Sequence, residues 1–212
     1  MQRWEEVRAW RKAQRKTLMA QRLSIPRDER ARRDEAITAR LRHLLPAPRG
    51  CIAVYWPFKG EYDPRPLMRS LHDLGVRLSL PVVVERARPL VFREWRPGIH
   101  LVPGIWDIPV PAEGTAVLPD AILAPVVGFD TQGYRLGYGG GYYDRTLAAL
   151  PERPLVIGIG FEPSWLETIH PQPHDIPMDL IVTEQRVIRI VDAAARRTGG
   201  SPVADCAVPK GG

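Results

Sequence analysis

Between Arg135 and Asp144 the chain reads Arg-Leu-Gly-Tyr-Gly-Gly-Gly-Tyr-Tyr-Asp, four glycines within five positions, bracketed by a cation and a carboxylate. Glycine gives up side-chain packing and costs backbone entropy, so a cluster this dense serves backbone amides that must approach something outside the chain. An apolar run, Ala121 to Val127, precedes it, and a helix-compatible stretch, Tyr142 to Leu150, follows. Strand, glycine loop and helix start together make an anion cradle, because amides unpaired at a helix N-terminus carry partial positive charge and suit phosphate oxygens. Arg135 adds a cation to that cradle and Asp144 a hard oxygen suited to magnesium. A hinge would account for the glycines but has no use for the flanking charges. Neither common nucleotide template fits: the Walker pattern needs Lys-Ser or Lys-Thr where Tyr142-Tyr143 stand, and the dinucleotide fingerprint needs glycine at Tyr142.

Other residue types invite chemistry with less specificity. Arg11 and Arg15, four apart on one helical side, could grip a phosphate chain or form a solvated basic face, and Lys12 beside them leaves the register open. Glu61 follows an apolar strand, at the end where α/β domains place ligands, yet also reads as a surface glutamate in a turn. Trp56 and Phe58 beside it suit either a ligand wall or the core. Trp106 lies in an irregular segment, where a flat ligand or core packing could use it. Asp144 and Asp179 could meet around one magnesium ion, or Asp144 could serve only to stabilise its own helix N-terminus. His174, Asp175 and Asp179 lack the spacing of a zinc site, and neither a serine elbow nor a reactive cysteine is present.

These groups need a scaffold. Trp4 to Leu23 contains no proline or glycine and predicts a basic helix with Arg8, Arg11, Arg15 and Arg22 along one side. A second helix follows, capped by Ser24, with Pro26, Asp28 and Glu29 in its first turn and Ile37, Leu41, Leu44 and Leu45 as its buried stripe, ended by Pro46 and Pro48. Ile52 to Trp56, Arg77 to Val84, Leu90 to Trp95, Leu155 to Gly160, Leu180 to Val182 and Val187 to Val191 read as strands, and Pro64 to Leu74 as a helix. Pro97 to Pro119 is expected to wrap the surface with little regular structure. The rhythm predicts an α/β fold: a single three-layer α/β/α domain with a mostly parallel central sheet and a basic N-terminal helix. The domain is expected to span residues 1–192, with 1–45 as its helical part and 193–212 as a disordered tail.

The 44% apolar content suits one substantial soluble core, and no apolar run approaches the length of a membrane span. Lys and Arg outnumber Asp and Glu by 30 to 24, a formal charge of +6 that favours anionic partners without naming one. Two cysteines, Cys51 and Cys206, suggest neither a disulfide framework nor zinc, and with no apolar signal core near the N-terminus they point to the cytoplasm.

The segment from Arg135 to Asp144 resembles the signature of the 5-formyltetrahydrofolate cyclo-ligase family. The likeness extends to the basic N-terminal helix, the strand leading to Glu61, Gly104-Ile105-Trp106-Asp107-Ile108-Pro109, and His174-Asp175-Ile176-Pro177-Met178-Asp179. It implies an enzyme that converts 5-formyltetrahydrofolate and ATP, with magnesium, to 5,10-methenyltetrahydrofolate, ADP and phosphate. By that resemblance Arg11, Arg15, Arg135, Leu136, Gly137, Tyr138, Gly139, Gly140, Gly141, Tyr142 and Tyr143 hold ATP. Trp56, Phe58, Glu61, Trp106 and Tyr143 hold the folate, Glu61 anchoring the pterin; Asp144 and Asp179 bind magnesium, and catalysis falls on Arg135 and Tyr143. One of Tyr142 and Tyr143 should face the core and the other the ligand, with Tyr143 chosen for the ligand. Arg135 and Asp144 are expected to contact ligand rather than protein, so that losing either harms turnover far more than stability. The implied partners are a reduced folate, with or without a polyglutamate chain, and ATP, bound by a monomer or weak homo-oligomer with no nucleic acid or membrane. A paralogue that binds folate or nucleotide without closing the ring is the second reading, and a basic nucleic-acid-binding protein the third; that one lacks interleaved aromatics.

Overall fold

The computed structural model describes residues 4–45 and 50–190. The helix stop at Pro46 and Pro48, and the tail at 193–212, lie outside the described residues. Its elements begin with helix α1, Trp4–Ser24, and α2, Arg27–Leu44; strand β1, Cys51–Ala53, leads to helix α3, Arg65–Asp73, and then to β2, Arg77–Val82, and β3, Val91–Trp95. The middle of the chain supplies β4, Leu101–Pro103, a 3-10 turn at Ile105–Asp107, β5, Pro109–Pro111, and β6, Ala116–Val117. Next come β7, Ala121–Pro125, β8, Gly128–Phe129, β9, Arg135–Leu136, and helix α4, Tyr142–Ala149. Strands β10, Leu155–Ile159, β11, Leu180–Val182, and β12, Val187–Arg189, complete it.

One eight-stranded sheet runs in the order β12, β11, β10, β7, β1, β2, β3, β6. The five strands from β11 to β2 are mutually parallel, and β12, β3 and β6 pair antiparallel at the margins. Both faces of the parallel centre are apolar because helices cover both. On one face Ile52, Leu78, Leu80, Leu123 and Ile157 pack with Ile37 and Leu41 of α2 and Leu67, Met68 and Leu71 of α3. On the other, Ala53, Ile122, Ala124, Val156 and Ile181 pack with Leu147 of α4 and Phe92 of β3. This is the expected three-layer α/β/α arrangement. Strand order reverses between β1 and β7, the switch point where open α/β sheets leave a crevice beyond the strands' C-terminal ends.

Helix α1 belongs to neither layer. Its buried residues are Val7, Arg11, Leu18 and Arg22, a stripe at helical spacing in which half the members are arginines. Leu18 packs with Val127, Leu136 and Ile169, which seats the helix across the end of the sheet where the crevice lies.

Four local expectations need correction. Ser24 does not cap α2: its hydroxyl donates back to the Gln21 carbonyl at 2.8 Å, and Pro26 takes the N-cap position without a side-chain bond. The first strand is shorter than Ile52 to Trp56, because after the Val54 amide bonds the Ser79 carbonyl the chain leaves the ladder and carries Tyr55 and Trp56 onward. Pro97 to Pro119 is more regular than expected, with β4 and β5 forming a hairpin in register Leu101 to Pro111 and β6 adding an edge strand against β3. The apolar run from Ala121 ends its sheet pairing at Pro125, and the glycine segment is entered through the small hairpin of β8 and β9. Among the described residues no helix is long and apolar enough to cross a membrane.

Helix α2 is fastened to the turn after β1 partly by Asp34, whose Oδ2 accepts the Asp63 amide at 3.5 Å, beside a Thr38 to Tyr62 hydroxyl contact of 2.8 Å. Burial, and then the nearby Asp63 charge, push the Asp34 carboxyl up to about 6 against the opposing Asp63 amide and Arg30. A carboxyl whose pKa rises on folding stabilises the fold below its unfolded value, and that contribution is lost as pH rises through about 6. Asp34→Asn, which keeps an acceptor and removes the charge, should raise the thermal midpoint by roughly 2–4 °C at pH 8 and leave it nearly unchanged at pH 4. Unfolding scans at the two pH values check this; an equal gain at both would show that charge burial is not the cause.

Candidate active site

A cavity of about 650 Å³ opens at the C-terminal ends of β1, β2 and β7. Trp56 and Phe58 reach it from β1, Pro81 from β2 and Pro125 from β7; the 3-10 turn brings Trp106, and α1 brings Arg8, Arg11 and Arg15. The glycine loop and the first turn of α4 close another side.

The loop is entered from a hairpin pinned by Asp130, whose Oδ1 accepts the Gln132 and Tyr134 amides while Oδ2 accepts that of Ile169. Gly139 has φ +96° and Gly141 +63°, left-handed conformations that side chains resist, and Gly141 caps α4 without any side-chain bond. A Cβ on Gly137 would meet nothing within 4 Å, so that residue faces open cavity. The Arg15 Nε donates to the Gly137 carbonyl at 2.6 Å, and its guanidinium lies beside Gly139. Burial, reinforced by the Arg11 charge, lowers the Arg15 pKa, and the charge of an incoming anion would oppose that shift. Cation, amides and helix N-terminus thus converge on one space. Leu136 does not join them: it packs with Leu18 and Val127 beneath the loop.

Other predicted cations are engaged with protein. The Arg11 guanidinium is 6% exposed and donates to the Ile169 carbonyl at 3.0 Å, the His170 carbonyl at 2.9 Å and Asp175 at 2.5 Å. It borders the cavity while tying α1 to the segment before β11. Its phosphate contact is therefore corrected to a structural clamp, and Lys12 is exposed and outside the cavity lining. Arg135 is 8% exposed; it donates to Asp144 Oδ1 at 2.6 Å and to the Ile176 carbonyl at 2.8 Å. Desolvation works against its charge and the Asp144 carboxylate supports it. The expectation that these two contact only ligand is corrected, since each is the other's partner. Asp144 Oδ1 also accepts the Ile176 amide at 3.0 Å, so both its bonds fall on one oxygen.

Asp179 does not meet Asp144 at a cation site. It is 3% exposed at the start of β11, where its Oδ2 accepts the Val156 amide at 2.7 Å and Oδ1 lies 3.6 Å from Arg153. That is the N-terminal end of the parallel strands, whereas the cavity opens at the C-terminal end, and Asp179 does not line it. Among the described residues no group of three or more His, Cys, Asp and Glu could hold a metal.

Glu61 is 6% exposed, with Oε1 accepting the Tyr138 hydroxyl at 2.7 Å and Oε2 accepting the Phe58 amide at 2.9 Å. Tyr138 accepts in turn from Arg22 at 2.6 Å. Burial raises the Glu61 pKa, opposed by the Tyr138 hydrogen bond, the Arg22 charge and the Phe58 amide. Phe58, Trp106 and Tyr138 form an aromatic wall: Phe58 and Trp106 lie 6.4 Å apart with planes only 13° from parallel, and Tyr138 is 5.9 and 6.4 Å from them. Trp106 is 55% exposed and holds φ +57°, which the fold maintains although little packing demands it. Tyr142 and Tyr143 both border the cavity, so the expected division between core and ligand fails. The Tyr143 ring lies 5.8 Å from the Arg135 guanidinium and packs on the core, and burial raises its pKa; the Tyr142 ring lies against Arg145. Sequence reasoning missed the link from Arg22 through Tyr138 to Glu61. Its only trace was Arg22 falling on the same helical side as Arg11 and Arg15.

Residues 7–184 match the model of the 5-formyltetrahydrofolate cyclo-ligase family. The chain is 35% identical over 143 residues to the 5-formyltetrahydrofolate cyclo-ligase of Escherichia coli K12, covering 64% of this chain and 79% of that protein. It is 34% identical over 183 residues to the enzyme of the same name from Mycolicibacterium smegmatis, covering 82% and 93%. The solution structure of Aquifex aeolicus 5,10-methenyltetrahydrofolate synthetase superposes with a TM-score of 0.75 at 33% identity, covering 86% of this chain and 93% of that one.

Removing Asp144 from its pair with Arg135 leaves a buried guanidinium without its counter-charge. Asp144→Ala should lower the unfolding free energy by about 3–5 kcal/mol, and the double variant Arg135→Met, Asp144→Leu should recover most of that loss. Denaturant titrations of the three proteins check it. A single-variant loss below about 0.5 kcal/mol, the range of ordinary surface substitutions, would show that the pair does not stabilise the fold.

Proposed function

The chain belongs to the 5-formyltetrahydrofolate cyclo-ligase family, and from that premise we propose that its cavity closes the ring of 5-formyltetrahydrofolate to 5,10-methenyltetrahydrofolate at the expense of ATP. One observation carries the reading: a phosphate-type glycine loop and a carboxylate flanked by aromatic rings face the same cavity and are joined by the 2.7 Å bond from Tyr138 to Glu61.

In this reaction the formyl oxygen attacks the terminal phosphoryl group, forming an oxygen–phosphorus bond as the bond to ADP breaks. N10 then attacks the activated carbon, the carbon–oxygen bond breaks with release of phosphate, and N10 loses its proton. The chain's part is to place and stabilise. The amides of the loop and of the α4 first turn hold phosphate oxygens, with Arg15 and Arg145 as the cations beside them. Arg135, fixed by Asp144 and Ile176, supplies positive potential from the wall rather than a moving clamp. Glu61 accepts hydrogen bonds from the pterin's amino and ring nitrogens, each of its oxygens keeping acceptor capacity beyond its one protein donor. Phe58 and Trp106 stack on the flat ring and exclude water, with Trp56 extending the wall.

The described residues offer no all-protein metal cage, which fits a magnesium that arrives with the nucleotide and keeps waters, as this ion usually does. Asp144 would hold it through Oδ2, the oxygen that accepts neither Arg135 nor Ile176. When bound, magnesium would neutralise phosphate charge. We further infer a single cytoplasmic domain, a monomer or weak homo-oligomer, accepting folates with or without a polyglutamate chain.

The purified protein, mixed with 5-formyltetrahydrofolate, ATP and magnesium, should develop the near-ultraviolet absorbance of the methenyl product; folded protein giving no ATP-dependent signal would sink the catalytic reading. Glu61→Gln should raise the KM for folate about tenfold or more, some 1.4 kcal/mol, with the KM for ATP little changed. Because burial raises the Glu61 pKa, kcat/KM for folate should fall on acidification at a pH above the ordinary carboxylate range, and that limb should vanish in Glu61→Gln.

A further inference from the structure

Arg22 joins three parts of the chain. Its Nε donates to the Lys59 carbonyl at 3.1 Å in the turn carrying Phe58 and Glu61, its Nη1 to the Val126 carbonyl at 3.3 Å beyond β7, and its Nη2 to the Tyr138 hydroxyl at 2.6 Å. Tyr138 passes that polarity on by donating to Glu61 Oε1 at 2.7 Å. The hydroxyl is thereby fully oriented: one donor fills it and its own proton goes to the carboxylate. Tyr138 itself sits in the glycine loop, between Gly137, which faces open cavity, and Gly139, with φ +96°. No side chain at either neighbour anchors the loop there. The backbone at 137–139 is held by Arg15 on the Gly137 carbonyl and by the Tyr138 side chain itself.

We propose that Tyr138 is a positioning residue that couples the two ligands, so that phosphate bound in the glycine loop holds its hydroxyl in the place it already takes against Glu61 and thereby keeps the carboxylate ready for the folate. The inference rests on the reading of Glu61 as folate anchor. The same side chain also sets the aromatic wall, with its ring 5.9 Å from Phe58 and 6.4 Å from Trp106. A nucleotide that orders the loop orders both features of the folate half at once. By linkage, folate must then tighten nucleotide binding by the same factor.

Calorimetry tests this with 5-formyltetrahydrofolate and a non-hydrolysable ATP analogue plus magnesium, each titrated alone and in the presence of the other. In the wild-type chain each ligand should tighten the other by about fivefold or more. Tyr138→Phe keeps the half-buried ring and removes only the oxygen, so the fold should persist, with a lowered unfolding midpoint because Arg22 and Glu61 each lose a bond. In it, folate alone should weaken and the mutual factor should fall to about one, as expected for uncoupled sites. The acid limb of folate affinity should also move to higher pH, because Glu61 loses the hydrogen bond that opposes its burial, leaving Arg22 as the facing cation beside the hydroxyls of Tyr55 and Tyr143. A purely structural role would not move that limb. No coupling in the wild type, or coupling intact in Tyr138→Phe, would overturn the proposal. Folate affinity unchanged in Glu61→Gln would instead remove the anchor reading on which it rests.

Discussion

A buried guanidinium has five donors to satisfy and no way to shed its charge, so wherever it is placed it organises the oxygens around it. Two such groups, Arg11 and Arg22, take half the buried stripe of α1, where a surface helix would ordinarily carry apolar side chains. Arg11 collects the carbonyls of Ile169 and His170 with Asp175, and Arg22 those of Lys59 and Val126 with Tyr138. Every acceptor belongs to a segment at the end of the sheet where the cavity opens. Desolvating these charges costs free energy that greasy packing would not, but hydrogen bonds fix angle and register in a way that sliding apolar surfaces do not. The cavity wall is held by directed bonds.

The wall's chemistry divides along the same line. On the side of the glycine loop the protein contributes amides, a helix end and cations held by backbone oxygens. On the opposite side it contributes rings and one buried carboxylate kept in place by a hydroxyl, an amide and a nearby charge. Glu61 shows why such a group needs support: burial alone would favour its neutral form, and three separate effects from α1, the glycine loop and its own turn oppose that. A recognition group that must stay ionised in an apolar setting cannot stand alone.

The parallel sheet was legible because strands covered on both faces read as short apolar runs, as Ala121 to Val127 and Leu155 to Gly160 do. The hairpin of β4 and β5 was not, since proline-rich residues such as Pro103, Pro109 and Pro111 resist the strand pattern and pair only because the edge position tolerates missing amides. The glycine loop stood out because composition alone marks a backbone that must approach a ligand. Glu61 needed family likeness to distinguish it from a turn glutamate. What stayed hidden was partnership. Nothing local says that Arg135 pairs with Asp144, that Arg11 seeks Asp175, or that Asp179 serves the start of β10 instead of the cavity, because each depends on which segments the completed fold sets side by side.

The reach of the α1 arginines has a kinetic corollary. The partners of Arg11 lie 158 to 164 residues further along the chain, and Arg22 spans 104 residues to Val126. Contacts of such sequence separation form late, after the entropy of closing the intervening loop has been met. Helix α1 leaves the ribosome well before these partners, so it can dock only when nearly the whole domain has been made. Until then its guanidiniums remain solvated and the crevice lacks one wall. A half-folded chain would therefore present the glycine loop to solvent without the α1 arginines that line the finished cavity beside it.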